Sequence, residues 1–130
     1  MNNKSIEILL IEDSEYDAEM TVRALRKNRI ANNIVHLENG RVAINFLGCT
    51  GEYANREPSL KPKLILLDLK MPLVDGLEVL QFIKSNPTMK RVPVVILTSS
   101  KENPDIQKCY DLGANSYLVK PVQFNAFMDC

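Results

Sequence analysis

Five short apolar runs punctuate the chain: "IEILLI" (6–11), "NIVHL" (33–37), "LILL" (64–67), "VVILT" (94–98) and "SYLV" (116–119). Unbroken aliphatic runs of this length predict strands covered on both faces, whereas the alternation in "NIVHL" predicts a strand with one face toward water. The segments between them carry helical spacing instead. Ser14 can cap a helix whose inner stripe is Ala18, Val22 and Leu25. Val42, Ala43, Phe46 and Leu47 mark a second helix. Leu77, Val79, Leu80, Phe82 and Ile83 mark a third, which must stop before Asn86-Pro87. Pro104 suits the first turn of a fourth helix containing Ile106, Cys109, Tyr110 and Leu112, with Gly113 as its stop. Phe124, Phe127 and Met128 stand at i, i+3 and i+4 of a last one.

Strand and helix alternate throughout, so the economical packing is an α/β fold, a doubly wound parallel sheet with helices on both faces. The stretch "GCTGEYANREPSLKPK" (48–63) is long for a connection inside a compact domain and reads as an exposed insertion. Eight residues follow Val122, room for barely two helical turns, so the last helix is expected to be short, as in a truncated chain.

The length of 130 residues fits one domain, in which folding hides roughly two-thirds of the chain's surface. Lys plus Arg and Asp plus Glu both number 16, a zero formal charge that argues against a nucleic-acid or polybasic membrane surface. Neither a membrane-spanning run nor a signal peptide is present, and the chain reads as cytoplasmic. Cys49, Cys109 and Cys130 are far apart, odd in number and form no CxxC pair, the mark of structural thiols in a reducing compartment. His36, the sole histidine, falls in an alternating strand and reads as solvated. Zinc chemistry and Ser-His-Asp or Cys-His catalysis therefore lack their residues.

Chemistry is concentrated just past the apolar runs. In an open parallel sheet, ligands bind at the carboxyl ends of the strands. Glu12-Asp13 follows the first run, Asp68 the third, Thr98 ends the fourth and Lys120-Pro121 follows the fifth. Three carboxylates, one hydroxyl and one ammonium thus share an edge. The carboxylates repel one another unless a cation joins them, and Lys120 supplies only one positive charge. Mg2+, a hard ion that keeps part of its water, fits the deficit where carboxylates and a phosphate share the coordination. Asp68 could then attack phosphorus, with Thr98 and Lys120 serving the phosphoryl oxygens. Each residue alone has a plainer reading: Asp68 a turn or cap, Glu12-Asp13 an acidic first helical turn, Thr98 a strand residue, Lys120 a solvated charge. Four complementary strand ends in one chain favour the site. Asp75-Gly76 is a turn signal into the third helix, and Met71-Pro72 shapes the preceding loop.

"IEDS", "LLDLKMPLVDG", "ILTSS" and "YLVKP", in that order across essentially the whole chain, resemble the receiver domain of two-component response regulators, the CheY-like superfamily. The resemblance implies one receiver domain over 1–130, with five strands in the order 2-1-3-4-5. It implies a phosphoacceptor switch rather than a metabolic enzyme, taking a phosphoryl group from a sensor histidine kinase and signalling to a downstream protein. By motif, Asp68 is the phosphoacceptor, Glu12 and Asp13 the acidic metal-side pair, and Lys70 the source of a backbone carbonyl to Mg2+. Thr98 and Lys120 are the phosphate-contacting pair, and Tyr117 is the switch aromatic. A cis Lys120–Pro121 bond is implied as well. The 48–63 insertion resembles that of stand-alone regulators paired with bacterial phytochrome-type kinases.

Three other functions compete. A Mg2+-dependent aspartyl phosphatase of the haloacid-dehalogenase type would need a second Asp two positions after Asp68, where this chain has Lys70. A receiver-like binding module that is not phosphorylated would be expected to have lost an acidic residue or the lysine. A flavodoxin-like carrier would follow the first strand with a phosphate-cradling loop rather than carboxylates.

Overall fold

The aliphatic runs become strands because helices close over both of their faces. The computed structural model describes residues 6–71 and 74–129. Pro72 and Cys130 lie outside them. Among the described residues the strands are β1 (Ile8–Ile11), β2 (Ile34–Leu37), β3 (Leu64–Asp68), β4 (Val94–Thr98) and β5 (Ser116–Val119). The helices are α1 (Glu15–Lys27), α2 (Gly40–Gly48), α3 (Gly76–Ser85), α4 (Asp105–Asp111) and α5 (Phe124–Asp129). All pairings are parallel, in the order β2-β1-β3-β4-β5. That is the expected doubly wound order, with β2 at the margin.

The two-residue period of the strands splits the core in two. Leu9, Ile11, Ile65, Leu67 and Ile96 pack with Ala43, Phe46 and Leu47 of α2, Val79, Leu80 and Ile83 of α3, and Cys109 of α4. Leu10, Leu66, Val95, Leu97 and Leu118 pack on the other side with Ala18 and Leu25 of α1 and with Val122. Each fully buried Leu or Ile contributes about 1.5–3 kcal/mol relative to exposure. Both β1 and β4 are buried at every position, whereas His36 on the marginal β2 is exposed, as its alternating pattern implied.

Local signals explain where helices begin and end. The Ser14 side chain accepts from Asp17 N at 3.1 Å and starts α1. Asp75 and Glu78 form a capping box that starts α3. Gly113, at φ +105, ends the turn after α4. Some boundaries differ from the expectation. Pro104 precedes α4 rather than entering it, and Tyr110 points outward with 41% exposure. In α5, Met128 is exposed, Phe127 packs against the α1 side of the core, and the Phe124 side chain is outside the described residues.

The 48–63 segment is largely exposed, as expected, but it is tied to the domain. It contains a 3-10 turn (Gly51–Tyr53) and folds back on α2. The Tyr53 ring meets Phe46 edge-on at 5.1 Å, and the Arg56 guanidinium lies over the same ring at 4.1 Å. Arg56 also donates to Phe46 O (2.7 Å) and to Leu60 O, satisfying a carbonyl of the last turn of α2. Pro62 is buried where the chain enters β3. Among the described residues no helix is long and apolar enough to cross a membrane.

Candidate functional site

Parallel register brings the strand-end residues together. Ile11 lies opposite Leu67, Asp68 opposite Leu97 and Thr98 opposite Val119, so residues one step beyond β1 and β5 join Asp68 and Thr98 on one edge. Glu12 is fully buried, Asp68 is 5% exposed and Thr98 2%, while Asp13 faces solvent. Carboxylate oxygens of Glu12, Asp13 and Asp68 all lie within 4.8 Å of one another. The main chain holds Glu12 in place. Its Oε2 accepts from Ser14 N (3.2 Å), and its carbonyl O lies 2.7 Å from His36 Nε2.

Lys120 reaches into this group from the end of β5, just before a Lys120–Pro121 bond that is cis. Its Nζ stands 3.2 Å from Glu12 Oε1, 3.5 Å from Asp68 Oδ1 and 3.0 Å from Asp17 Oδ2. Burial alone would lower the Lys120 pKa, but Asp17, Asp68 and Glu12 together outweigh it and hold the ammonium above its ordinary value. Asp68 shows the opposite balance. Burial first, then the neighbouring Glu12, pushes its pKa up to about 7, against the pull of Lys120. Three carboxylates thus surround one ammonium. The trio of oxygen donors, two of them nearly dry, suits a hard divalent cation in charge and donor type.

A cavity of about 160 Å³, lined by Asp68, Leu69, Lys70, Thr98, Asn103 and Lys120 among others, opens beside Asp68. Lys70 is there as expected, its side chain exposed. Gly76 makes the tight turn behind Asp68 possible. A Cβ at Gly76 would sit 2.5 Å from Asp68 O and 2.6 Å from Leu69 Cα. Thr98 is on the same edge, but its hydroxyl is turned into the β4–α4 loop. It donates to Ser100 O (3.0 Å) and accepts from Asn103 Nδ2 (3.4 Å). Tyr117 is half-buried in β5, opposite Ile96, with its ring edge-on to Tyr110 at 6.5 Å.

Every residue expected at the site from sequence, apart from Tyr117, lies on this edge. Asp75 caps α3, in keeping with the turn signal of Asp75-Gly76. The sequence reading missed Asp17, Ser100 and Asn103. The signal for Asp17 was available: it stands four residues after Asp13, one helical turn, and three after the Ser14 cap.

The family description of the response regulator receiver domain matches residues 8–130. The response regulator Rcp1 of Synechocystis sp. is 45% identical over 113 residues, 87% of this chain and 75% of that protein. Among solved structures, the bacteriophytochrome response regulator RtBRR gives a TM-score of 0.87 at 43% identity, covering 97% of this chain and 75% of that one. The phosphorylated cyanobacterial phytochrome response regulator RcpA gives 0.80 at 41%, covering 92% and 83%. The Mn2+-bound form of Rcp1 gives 0.79 at 40%, covering 95% and 87%.

Proposed function

This chain belongs to the response regulator receiver domain family, signalling switches rather than metabolic enzymes, and from that premise we propose that Asp68 is its phosphoacceptor. The observation that carries the proposal is a nearly dry carboxylate, Asp68, set between two acidic neighbours and an ammonium at 3.5 Å. In the proposed reaction an Asp68 oxygen attacks the phosphorus of a phosphohistidine on a sensor kinase. The P–N bond breaks, its electron pair leaves with the imidazole nitrogen, and an aspartyl phosphate forms. Phosphorylated RcpA and the Mn2+-bound form of Rcp1 support the acceptor chemistry and the cation, respectively.

In this reading Glu12, Asp13, Asp68 and the Lys70 carbonyl would hold Mg2+, which would neutralise charge developing on the phosphoryl oxygens. Glu12 and Asp13 by themselves repel an incoming phosphoryl group, which is the charge a bound cation would offset. Lys120 supplies an ammonium to a phosphoryl oxygen, and the Thr98 hydroxyl supplies a second donor once it leaves Ser100 O. That movement opens space beside β5, and Tyr117 rotates inward to fill it, changing the surface of α4, β5 and α5. Output is by protein contact. The kinship with phytochrome regulators supports a phytochrome-type histidine kinase as donor, and a donor of that kind is consistent with a cytoplasmic location. Balanced charge, 16 basic against 16 acidic residues, supports a protein rather than a nucleic-acid target.

The test is acetyl phosphate with Mg2+ followed by intact mass measurement. One phosphoryl addition is expected, lost in Asp68→Asn and lost without a divalent cation. Equal labelling of Asp68→Asn would remove Asp68 as the acceptor.

A further inference from the structure

The shortest contact of Lys120 is to a residue that the phosphoacceptor chemistry does not use. An ammonium has three protons, and here three carboxylates compete for them. Asp17 Oδ2 is at 3.0 Å, Glu12 Oε1 at 3.2 Å and Asp68 Oδ1 at 3.5 Å. These partners differ in how readily they can give Lys120 up. Glu12 is fully buried, and a buried charge stripped of its partner is strongly unfavourable. Asp68 is the group that would carry the phosphoryl oxygens. The Asp17 side chain is 35% exposed in the first turn of α1, where water and the helix N-terminus can both support its charge.

We propose, building on Asp68 as phosphoacceptor, that Asp17 is a positioning residue that holds Lys120 while Asp68 is free and gives it up when Asp68 carries a phosphoryl group. Phosphorylation would place three strong acceptor oxygens and additional negative charge beside the 3.5 Å contact. Lys120 is then drawn to the new oxygens, and Asp17 is the partner that can let go. Because the contact to Asp17 is lost on the way, it counts against the phosphorylated form. Asp17 thereby sets how tightly the site retains its phosphoryl group. Its own negative charge acts in the same direction, since it repels the anion that Lys120 must serve. An ion pair with one partner this exposed has a strength of the order that shifts binding about three- to tenfold.

Beryllofluoride with Mg2+ serves as the probe, a stand-in for the phosphoryl group on Asp68, titrated into the full chain and followed by fluorine NMR. Asp17→Ala should bind it about three- to tenfold more tightly than the parent protein, and Asp17→Glu should return the affinity to the parent value. A second readout needs neither cation nor beryllofluoride. With lysines labelled with carbon-13 at Cε, the Lys120 signal, assigned by its loss in Lys120→Arg, should move in Asp17→Ala and stay in Asp17→Glu. A merely structural Asp17 would change thermal stability and leave affinity alone. Unchanged or weaker binding in Asp17→Ala, or no restoration by Asp17→Glu, overturns the role of Asp17. If the parent protein takes up no beryllofluoride, or no more than Asp68→Asn does, the phosphoacceptor reading fails, and this inference fails with it.

Discussion

Replacing Asp68 by Asn should make the cation-free protein more stable, an unusual result for removing a buried charged group. In the folded state Asp68 holds its proton up to about pH 7, against an ordinary aspartate value of 3.8. A carboxyl raised by folding stabilises the fold while it is protonated, and that contribution is lost as pH climbs from the unfolded value to the folded one. At 1.36 kcal/mol per pH unit, the ceiling on the loss across this window is about 4 kcal/mol. Side-chain relaxation and solvent at the exposed Asp13 side bring the expectation nearer to about 2 kcal/mol. Asn keeps the size of Asp68 and does not titrate, and Lys120 retains Glu12 and Asp17 as partners. Urea unfolding in EDTA, followed by far-UV circular dichroism because the chain has no tryptophan, measures the difference. At about pH 8 the Asn variant should be more stable by about 2 kcal/mol, and the gap should shrink to about a third of that near pH 5. Saturating Mg2+ should close the gap from the other side by stabilising the parent protein selectively. A gap that does not vary with pH, or an Asn variant that is the less stable at about pH 8 in EDTA, would show that Asp68 is not destabilised as described.

Other consequences follow from single contacts. Thr98→Ala should still accept a phosphoryl group at Asp68 but transmit it weakly, and Tyr117→Ala should alter partner binding with little change in phosphorylation. Structures with and without beryllofluoride in which Tyr117 and α4 are identical would refute that route. Gly76→Ala forces a Cβ against the backbone at Asp68 and Leu69. It should cost about 1–3 kcal/mol in urea unfolding and slow acetyl phosphate labelling, because the strand end carrying Asp68 must move. Arg56→Ala removes the guanidinium from Phe46 and from two carbonyls, for an expected loss of about 1–3 kcal/mol. Faster amide exchange across 48–63 with unchanged labelling of Asp68 is the matching signature, and exchange equal to the parent would show that Arg56 does not pin the segment.

The elements, and the edge on which the chemistry lies, are legible in the order of the amino acids. Runs such as "LILL" and "VVIL" have the length and composition of strands covered on both sides. Once alternating helices make the sheet parallel, every residue just past a run is delivered to the same edge. Glu12, Asp13, Asp68, Thr98 and Lys120 were therefore legible from position alone. Contacts that depend on distance through space were not. Asp17 and Lys120 are separated by 103 positions, and only the fold, which brings the start of α1 to the end of β5, sets them 3.0 Å apart. The same holds for the docking of Arg56 on Phe46, which turns a stretch rich in loop residues into a pinned one. The Thr98 hydroxyl could have faced Asp68 or the loop, and the positions of Ser100 and Asn103 decided which. The affinity of Asp68 for its proton depends on how much water the surrounding strands exclude and how near Glu12 comes. Those quantities belong to the three-dimensional field around the group, because Coulomb and desolvation energies depend on distance and dielectric rather than on sequence separation.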